Sequence, residues 1–80
     1  MSSLEKLQAA FVSSIGVPEN VEFNKLAYGE TSGWDSIAHM KLINEIESGF
    51  DIMLDTDDVI NMSSFPKAKE ILAKYGVVFA

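Results

Sequence analysis

Apolar residues recur at intervals of three and four in three separate stretches of this 80-residue sequence. In an α-helix of about 3.6 residues per turn, that spacing places the apolar side chains of each stretch on one face. The pattern therefore favours an all-α fold with three main helices, whose inward faces hold Leu4, Leu7, Phe11 and Ile15, then Leu42, Ile43, Ile46 and Phe50, then Phe65, Ala68, Ile71, Leu72 and Tyr75.

Residues that begin or end helices stand at the borders of these stretches. Gly16 ends the first helix, because glycine readily adopts the left-handed conformation of a helix stop. Asp35 is the predicted N-cap of a second helix over about 36–48, with Gly49 near its end. A short helical piece is expected over 55–62, ahead of the last main helix.

The segment from 19 to 34 has no clean helical period and is rich in Asn, Gly, Thr and Ser. The sequence thus predicts a small four-helix bundle, with three main helices, a short third helix and a long loop between helices 1 and 2. At this length we expect residues 1–80 to form one domain. The loop should be anchored in the core by Val21, Phe23, Leu26 and Tyr28.

The charge balance restricts the class of partner. Twelve acidic residues outnumber six lysines, and the sequence has no arginine, so the net charge is −6. Nucleic-acid binding is not expected, since phosphates are contacted mainly by Arg and Lys clusters. Between Glu30 and Asp58, eight acids stand against Lys41 alone. Such a field attracts basic partners, although a solvated acidic surface has the same composition.

The sequence also bears on compartment. It has no cysteine, which excludes disulfides and thiolate metal sites. Its first residues lack a basic signal-peptide region, and no apolar run is long enough to cross a bilayer. We therefore expect a cytoplasmic protein without membrane insertion.

Ser36 stands at the first position of the predicted second helix, behind Trp34 and Asp35. At about 100° per residue, Ile37 and Met40 fall outside the apolar stripe of that helix and beside Ser36. An exposed apolar pair of this kind indicates a docking surface. The alternative is a helix that is buried on two sides.

Ser36 itself allows three interpretations: a helix-opening residue, a nucleophile, or a site to which another enzyme attaches a group. Hydrolysis is disfavoured because the sequence has no G-x-S-x-G motif, and its single histidine, His39, falls inside the apolar stripe. His39 is better explained as a half-buried packing residue. A phosphate ester on Ser36, in contrast, would be stabilised by the positive end of the helix dipole.

Clustered carboxylates at Asp51, Asp55, Asp57 and Asp58 raise the question of calcium. A calcium-binding loop of the EF-hand type that began at Asp55 would need Gly at its sixth position and Glu at its twelfth. The sequence has Ile60 and Pro66 there. No dedicated metal site is expected.

The segment Asp35-Ser36-Ile37 resembles the D-S-L signature of the acyl carrier protein family. Ten residues after Ser36, the run from Ile46 to Phe50 is similar to the I/L-E-x-x-F ending of the same helix in that family. The resemblance covers nearly the whole chain. D-S-L alone is a weak signal, but both motifs in an acidic chain of this length without cysteine are a strong one.

The resemblance implies that a phosphopantetheinyl transferase, with magnesium in its own site, moves 4′-phosphopantetheine from coenzyme A to the Ser36 hydroxyl. The arm then carries acyl or aminoacyl groups as thioesters between biosynthetic enzymes, and the carrier has no catalytic residues of its own. Asp35 would cap the helix and help to present Ser36. Implied partners are this transferase, a loading ligase, and acyltransferases or synthases with basic patches that contact a monomeric carrier at Ile37, Met40, Glu45, Glu47 and Asp51.

Two residues depart from the pattern of fatty-acid-synthesis carriers. Ala38 and Lys41 stand where those carriers have acids, and together with Trp34 and His39 they favour a discrete carrier of a specialised pathway. An aminoacyl or peptidyl carrier would share the same chemistry with another cargo. The other alternative is an acidic helical adaptor, in which Ser36 is never modified and the apolar pair binds a partner helix.

Overall fold

The computed structural model describes residues 2–79, and all of its regular secondary structure in this range is helical. One isolated β-bridge joins Ala27 to Ser64. The radius of gyration is 11.3 Å. The predicted all-α class is confirmed for these residues, which form a 3₁₀ helix at Phe23–Lys25 and four α-helices, α1 (Ser3–Ile15), α2 (Ser36–Phe50), α3 (Thr56–Asn61) and α4 (Phe65–Lys74).

Helix α1 begins and ends as its sequence dictates. Ser2 caps it by accepting the Glu5 backbone N–H, while the Glu5 carboxylate accepts the backbone N–H of Ser2. These hydrogen bonds hold the pKa of Glu5 below its usual range. Gly16 ends the helix in the left-handed conformation, as predicted.

Helix α2 is longer than its sequence predicts. Asp35 caps its start as expected, accepting the Ala38 backbone N–H at Oδ1 over 2.9 Å. The helix ends near Gly49 as predicted, but it continues to Phe50. Asp51 provides the left-handed residue at its end instead, with φ of 55°. Asp tolerates this conformation better than most residues other than Gly.

The loop over 16–35 is anchored in the core by three buried side chains, two near its middle and one at its end. Phe23 and Leu26 enter the core as predicted. Trp34 is only 1% exposed, so it belongs to the core as well. The expectation for Tyr28 as a core anchor is wrong, since its side chain lies at the surface and is 41% exposed.

The core lies between the two long helices, the loop and α4. Helices α1 and α2 make the most extensive contact between two elements, and α4 packs on the 3₁₀ helix. Phe11 meets Trp34 and Phe65 edge-on, at ring-centroid distances of 5.3 and 5.0 Å. Such aromatic pairs add to the burial of area. Leu4, in contrast, remains 36% exposed at the start of α1.

Helices α3 and α4 are joined by a polar contact. The Asp58 carboxylate, in a side chain that is 10% exposed, accepts from Lys74 Nζ and from the Tyr75 hydroxyl, each at 2.6 Å. The Lys74 ammonium, followed by the Tyr75 hydroxyl, lowers the pKa of Asp58. The same carboxylate raises the pKa values of Lys74 and Tyr75.

Across residues 2–79, no helix is both long and apolar enough to cross a membrane.

Candidate functional site

Ser36 is the first residue of α2, and its side chain is exposed. The Asp35 carboxylate, beside it, is occupied by the Ala38 backbone N–H. The first backbone N–H groups of a helix have no partner within the helix, and they carry the positive end of its dipole. The Ser36 hydroxyl is therefore accessible from solvent at a position that favours an anion.

Within residues 2–79, the Ser36 hydroxyl has one side-chain partner, Tyr28, which was expected in the core. Tyr28 reaches over from the loop, and its hydroxyl oxygen lies 3.0 Å from Ser36 Oγ. Either hydroxyl can donate in this hydrogen bond. The Tyr28 ring is edge-on to Trp34 and to His39, with centroid distances of 6.2 and 5.2 Å.

Trp34 and His39, which both contact the Tyr28 ring, form a hydrogen-bonded pair. The Trp34 indole N–H donates to Nδ1 of His39 at 3.0 Å, and the planes of the two rings are inclined by only 24°. Because indole can only donate, Nδ1 is the acceptor and the ring proton of His39 is on Nε2. Nε2 then donates to the Val59 carbonyl oxygen at 2.7 Å. His39 thus connects the loop, α2 and α3.

A cleft of about 290 Å³ opens directly beside Ser36, between α2 and α3. We call it the Ser36 cleft. Its walls are mostly apolar, a composition typical of sites that hold small organic groups. It is lined by Tyr28, Ser36, His39, Met40, Val59 and Ile60.

Ile37 and Met40 lie on the exposed side of α2 next to Ser36, with exposed fractions of 71% and 54%. The prediction that these two side chains are exposed is confirmed. Ile60 of α3, which is 71% exposed, extends the apolar surface across the Ser36 cleft. Sequence reasoning did not identify Ile60, because its neighbourhood depends on the packing of α3 against α2.

Of the three acids predicted to contact partners, Glu45 lies on the opposite side of α2 from Ser36, while Glu47 and Asp51 stand near the far end of the helix. Glu45 lines a groove between α1 and α2, together with Lys6 of α1. Glu47 is half-buried, and its Oε2 accepts the Leu54 backbone N–H at 2.9 Å, so it stabilises the turn after α2. Asp51 caps the far end of α2, fifteen residues from Ser36.

The geometry does not pair Ser36 with a base. Both ring nitrogens of His39 are engaged, one by Trp34 and the other by Val59, and the hydroxyl of Ser36 interacts with Tyr28. The nucleophile–base contact of a serine hydrolase is therefore not formed between Ser36 and His39. In the part of the chain that the structure describes, no group of three or more His, Cys, Asp or Glu side chains is arranged to hold a metal ion.

Sequence reasoning missed the roles of Tyr28 and Trp34. Trp34 is not among the predicted core anchors of the loop, although it is buried and donates to His39. A usable signal was present, because a large indole and the only histidine of the sequence stand five residues apart around a helix start. For Tyr28 no comparable signal exists, since its contact with Ser36 depends on the path of the loop.

Comparison with protein-family models, with characterised proteins and with solved structures finds no match for this chain.

Proposed function

We propose that this protein is a carrier of the acyl carrier type, in which Ser36 bears a 4′-phosphopantetheine arm. The observation that carries the proposal is the exposed Ser36 hydroxyl at the first position of α2, beside an apolar cleft. The D-S-I and I-E-x-x-F resemblance supports it, and so does the four-helix arrangement, which we take to be the bundle of that family.

The residues around Ser36 suit a phosphodiester linked to a partly apolar arm. The first turn of α2 favours a negative charge, since its backbone N–H groups and dipole point towards the attached group. The Ser36 cleft, with Met40 and Ile60 at its sides, offers apolar surface next to the attachment point. When bound, the arm supplies a terminal thiol that holds an acyl or aminoacyl group as a thioester.

Each residue of the site has a distinct part in this proposal. Ser36 supplies the hydroxyl that a phosphopantetheinyl transferase modifies, with coenzyme A as donor. Asp35 ends the loop and fixes the first turn of α2 through Ala38. His39 ties α2 to α3 through Val59 and so keeps the wall of the cleft in place.

Partner enzymes would meet the chain at the apolar surface formed by Ile37, Met40 and Ile60. The acidic residues in the middle of the chain would attract basic patches of partner enzymes to this surface. Charge steering of this kind raises the encounter rate more than the residence time. Such short-lived complexes suit a monomeric shuttle between a loading ligase and acyltransferases or synthases. Ala38 and Lys41 favour a specialised cytoplasmic pathway over fatty-acid synthesis, with an acyl or aminoacyl cargo.

One observation favours a second candidate function, an acidic adaptor without modification. The apolar surface of Ile37, Met40 and Ile60 is exposed enough to receive a partner helix whether or not Ser36 is modified. An adaptor would keep its partner when Ser36 is replaced, whereas a carrier would lose its function and remain folded.

Loading assays separate the two functions. The chain is incubated with a fluorescent coenzyme A analogue, Mg²⁺ and a broad-specificity phosphopantetheinyl transferase, and label on the protein is measured. Wild type and Ser48→Ala, which alters another exposed serine of α2, should both be labelled. Ser36→Ala should remain unlabelled with an unchanged helical circular dichroism spectrum. Equal labelling of Ser36→Ala would exclude Ser36 as the attachment site.

A further inference from the structure

The hydroxyl of Tyr28 lies 3.0 Å from Ser36 Oγ, although the two residues are eight positions apart and belong to different elements. The Tyr28 side chain is 41% exposed. A tyrosine this exposed contributes little to the core, so core packing does not explain why its hydroxyl lies at the Ser36 hydroxyl.

The backbone holds Tyr28 in place. Its N–H donates to the Ser63 carbonyl oxygen at 2.9 Å, which fixes the loop to the segment before α4. The loop also closes on itself, because the Thr31 hydroxyl accepts the Ala27 N–H at 2.9 Å and the Gly29 N–H donates to the Trp34 carbonyl at 3.2 Å. The backbone of Tyr28 is therefore fixed relative to α4.

The ring is also held. It meets His39 and Trp34 edge-on, and those two rings are themselves nearly parallel and hydrogen-bonded to each other. Because Trp34 is buried, this support is continuous with the core. A ring fixed in this way holds its hydroxyl in one position beside Ser36 Oγ. Such a preorganised contact favours a reaction at Oγ, because no freedom has to be lost when the reaction begins.

We infer that Tyr28 is a positioning residue for the modification of Ser36, an inference that rests on the proposed function. In the transfer, Ser36 Oγ forms a bond to the phosphorus next to the pantetheine group of coenzyme A. The bond between that phosphorus and the bridging pyrophosphate oxygen breaks, adenosine 3′,5′-bisphosphate leaves, and the serine proton passes to a base of the transferase. Tyr28 holds Oγ in one rotamer for this attack.

After the transfer, the same hydroxyl has a second task. The oxygens of a phosphodiester only accept hydrogen bonds, whereas a tyrosine hydroxyl can donate one. The neighbouring Asp35 carboxylate repels the new negative charge, and it is already bonded to Ala38. Tyr28 therefore orients the arm as well as the hydroxyl that receives it.

The test compares Tyr28→Phe, which keeps the ring contacts and removes only the hydroxyl, with Tyr75→Phe. Tyr75 also hydrogen-bonds through its hydroxyl, but its partners are Asp58 and the Asp55 N–H, at the α3–α4 contact. Transferase kinetics are measured with each purified chain as the varied substrate, and ³¹P NMR spectra are recorded on the fully loaded proteins.

For Tyr28→Phe we expect kcat to fall about tenfold, with KM for the carrier changed less than about twofold, because the freed Ser36 side chain reaches the attacking rotamer less often while carrier docking is unaffected. The ³¹P resonance of the loaded variant should move from its wild-type position. Tyr75→Phe should melt at a lower temperature but keep wild-type kcat and the wild-type ³¹P resonance.

Three results would overturn the inference in distinguishable ways. Wild-type kcat and an unmoved resonance for Tyr28→Phe would remove the role of Tyr28 and leave the carrier function intact. A raised KM with wild-type kcat would make Tyr28 a docking contact instead. Loading of none of the chains, by a transferase that modifies another carrier, would remove the carrier function together with this inference.

Discussion

The indole N–H of Trp34 donates to Nδ1 of His39 over 3.0 Å, in a ring pair that joins the end of the loop to α2. The other nitrogen of His39 continues the connection to Val59 of α3. One histidine ring therefore links the end of the loop to both α2 and α3 beside Ser36.

Replacing this ring should be costly. In His39→Ala, the buried Trp34 N–H loses its acceptor, and α2 loses its bond to α3. An unsatisfied buried donor costs about 1–3 kcal/mol, so we expect the free energy of unfolding in urea to fall by about 2 kcal/mol. The double variant with Trp34→Phe should lose less than the sum of the two single changes, because the donor is then absent. Additive losses would show that the hydrogen bond contributes nothing.

Gly33 should be the least replaceable glycine of the loop. Its φ is 90°, and a Cβ built on it would stand 2.6 Å from the Ile15 carbonyl oxygen. Gly29 is a matched control, with φ of 80° and open space around the same position. We expect Gly29→Ala to cost about 1–2 kcal/mol from the left-handed backbone alone. Gly33→Ala should cost at least about 2 kcal/mol more, since backbone atoms must shift. Similar melting temperatures for the two variants would contradict the close approach of the loop to α1.

Stability should fall at both ends of the pH range through the Asp58 contact. The pKa of Asp58 is lowered, chiefly by Lys74, so its contribution is complete above about pH 4, the ordinary range of an aspartate. That contribution is lost as the pH falls through the lowered value. The raised pKa values of Lys74 and Tyr75 give a contribution that is complete below about pH 10 and lost as the pH rises through them.

Asp58→Asn separates this contact from the other titrating groups. Thermal melting of the variant and of wild type is measured from acid to alkaline pH. The difference between their melting temperatures should be largest near neutral pH and shrink at both ends. A difference that stays constant with pH would show that the charges of this contact do not stabilise the fold.

The docking surface can be tested against the opposite side of the same helix. Ile37→Ser removes an exposed apolar side chain beside Ser36 and should change the free energy of unfolding by less than about 0.5 kcal/mol. Its kcat/KM for the transferase should fall about tenfold, as expected for a central contact of an interface. Glu45→Gln, in the groove between α1 and α2, should stay within about twofold of wild type. Equal losses for both variants would place the docking surface elsewhere.

Local patterns predicted the helices and their starts well. The cap at Asp35 depends on a contact within three residues, so it could be predicted from the sequence alone. The end of α2 lies two residues beyond the predicted range, because the left-handed residue there is Asp51, a less common stop than glycine. The exposure of Ile37 and Met40 followed from helical spacing.

The loop could not be predicted in the same way. Whether Trp34 or Tyr28 enters the core depends on how residues 16–35 return to α2 and α4, which no short-range period encodes. The position of Glu45, in contrast, could be predicted from helical spacing alone. It stands nine residues after Ser36, and at about 100° per residue that spacing puts the two half a turn apart. Helical geometry alone therefore separates Glu45 from the Ser36 side of α2.

The most direct measurement is the intact mass of the chain after incubation with coenzyme A, Mg²⁺ and a phosphopantetheinyl transferase shown to be active on another carrier. The account predicts that wild type gains the mass of one phosphopantetheine, that fragmentation places it on Ser36, and that Ser36→Ala gains nothing. An unchanged mass for folded wild-type protein, or the added group on another residue, would contradict it.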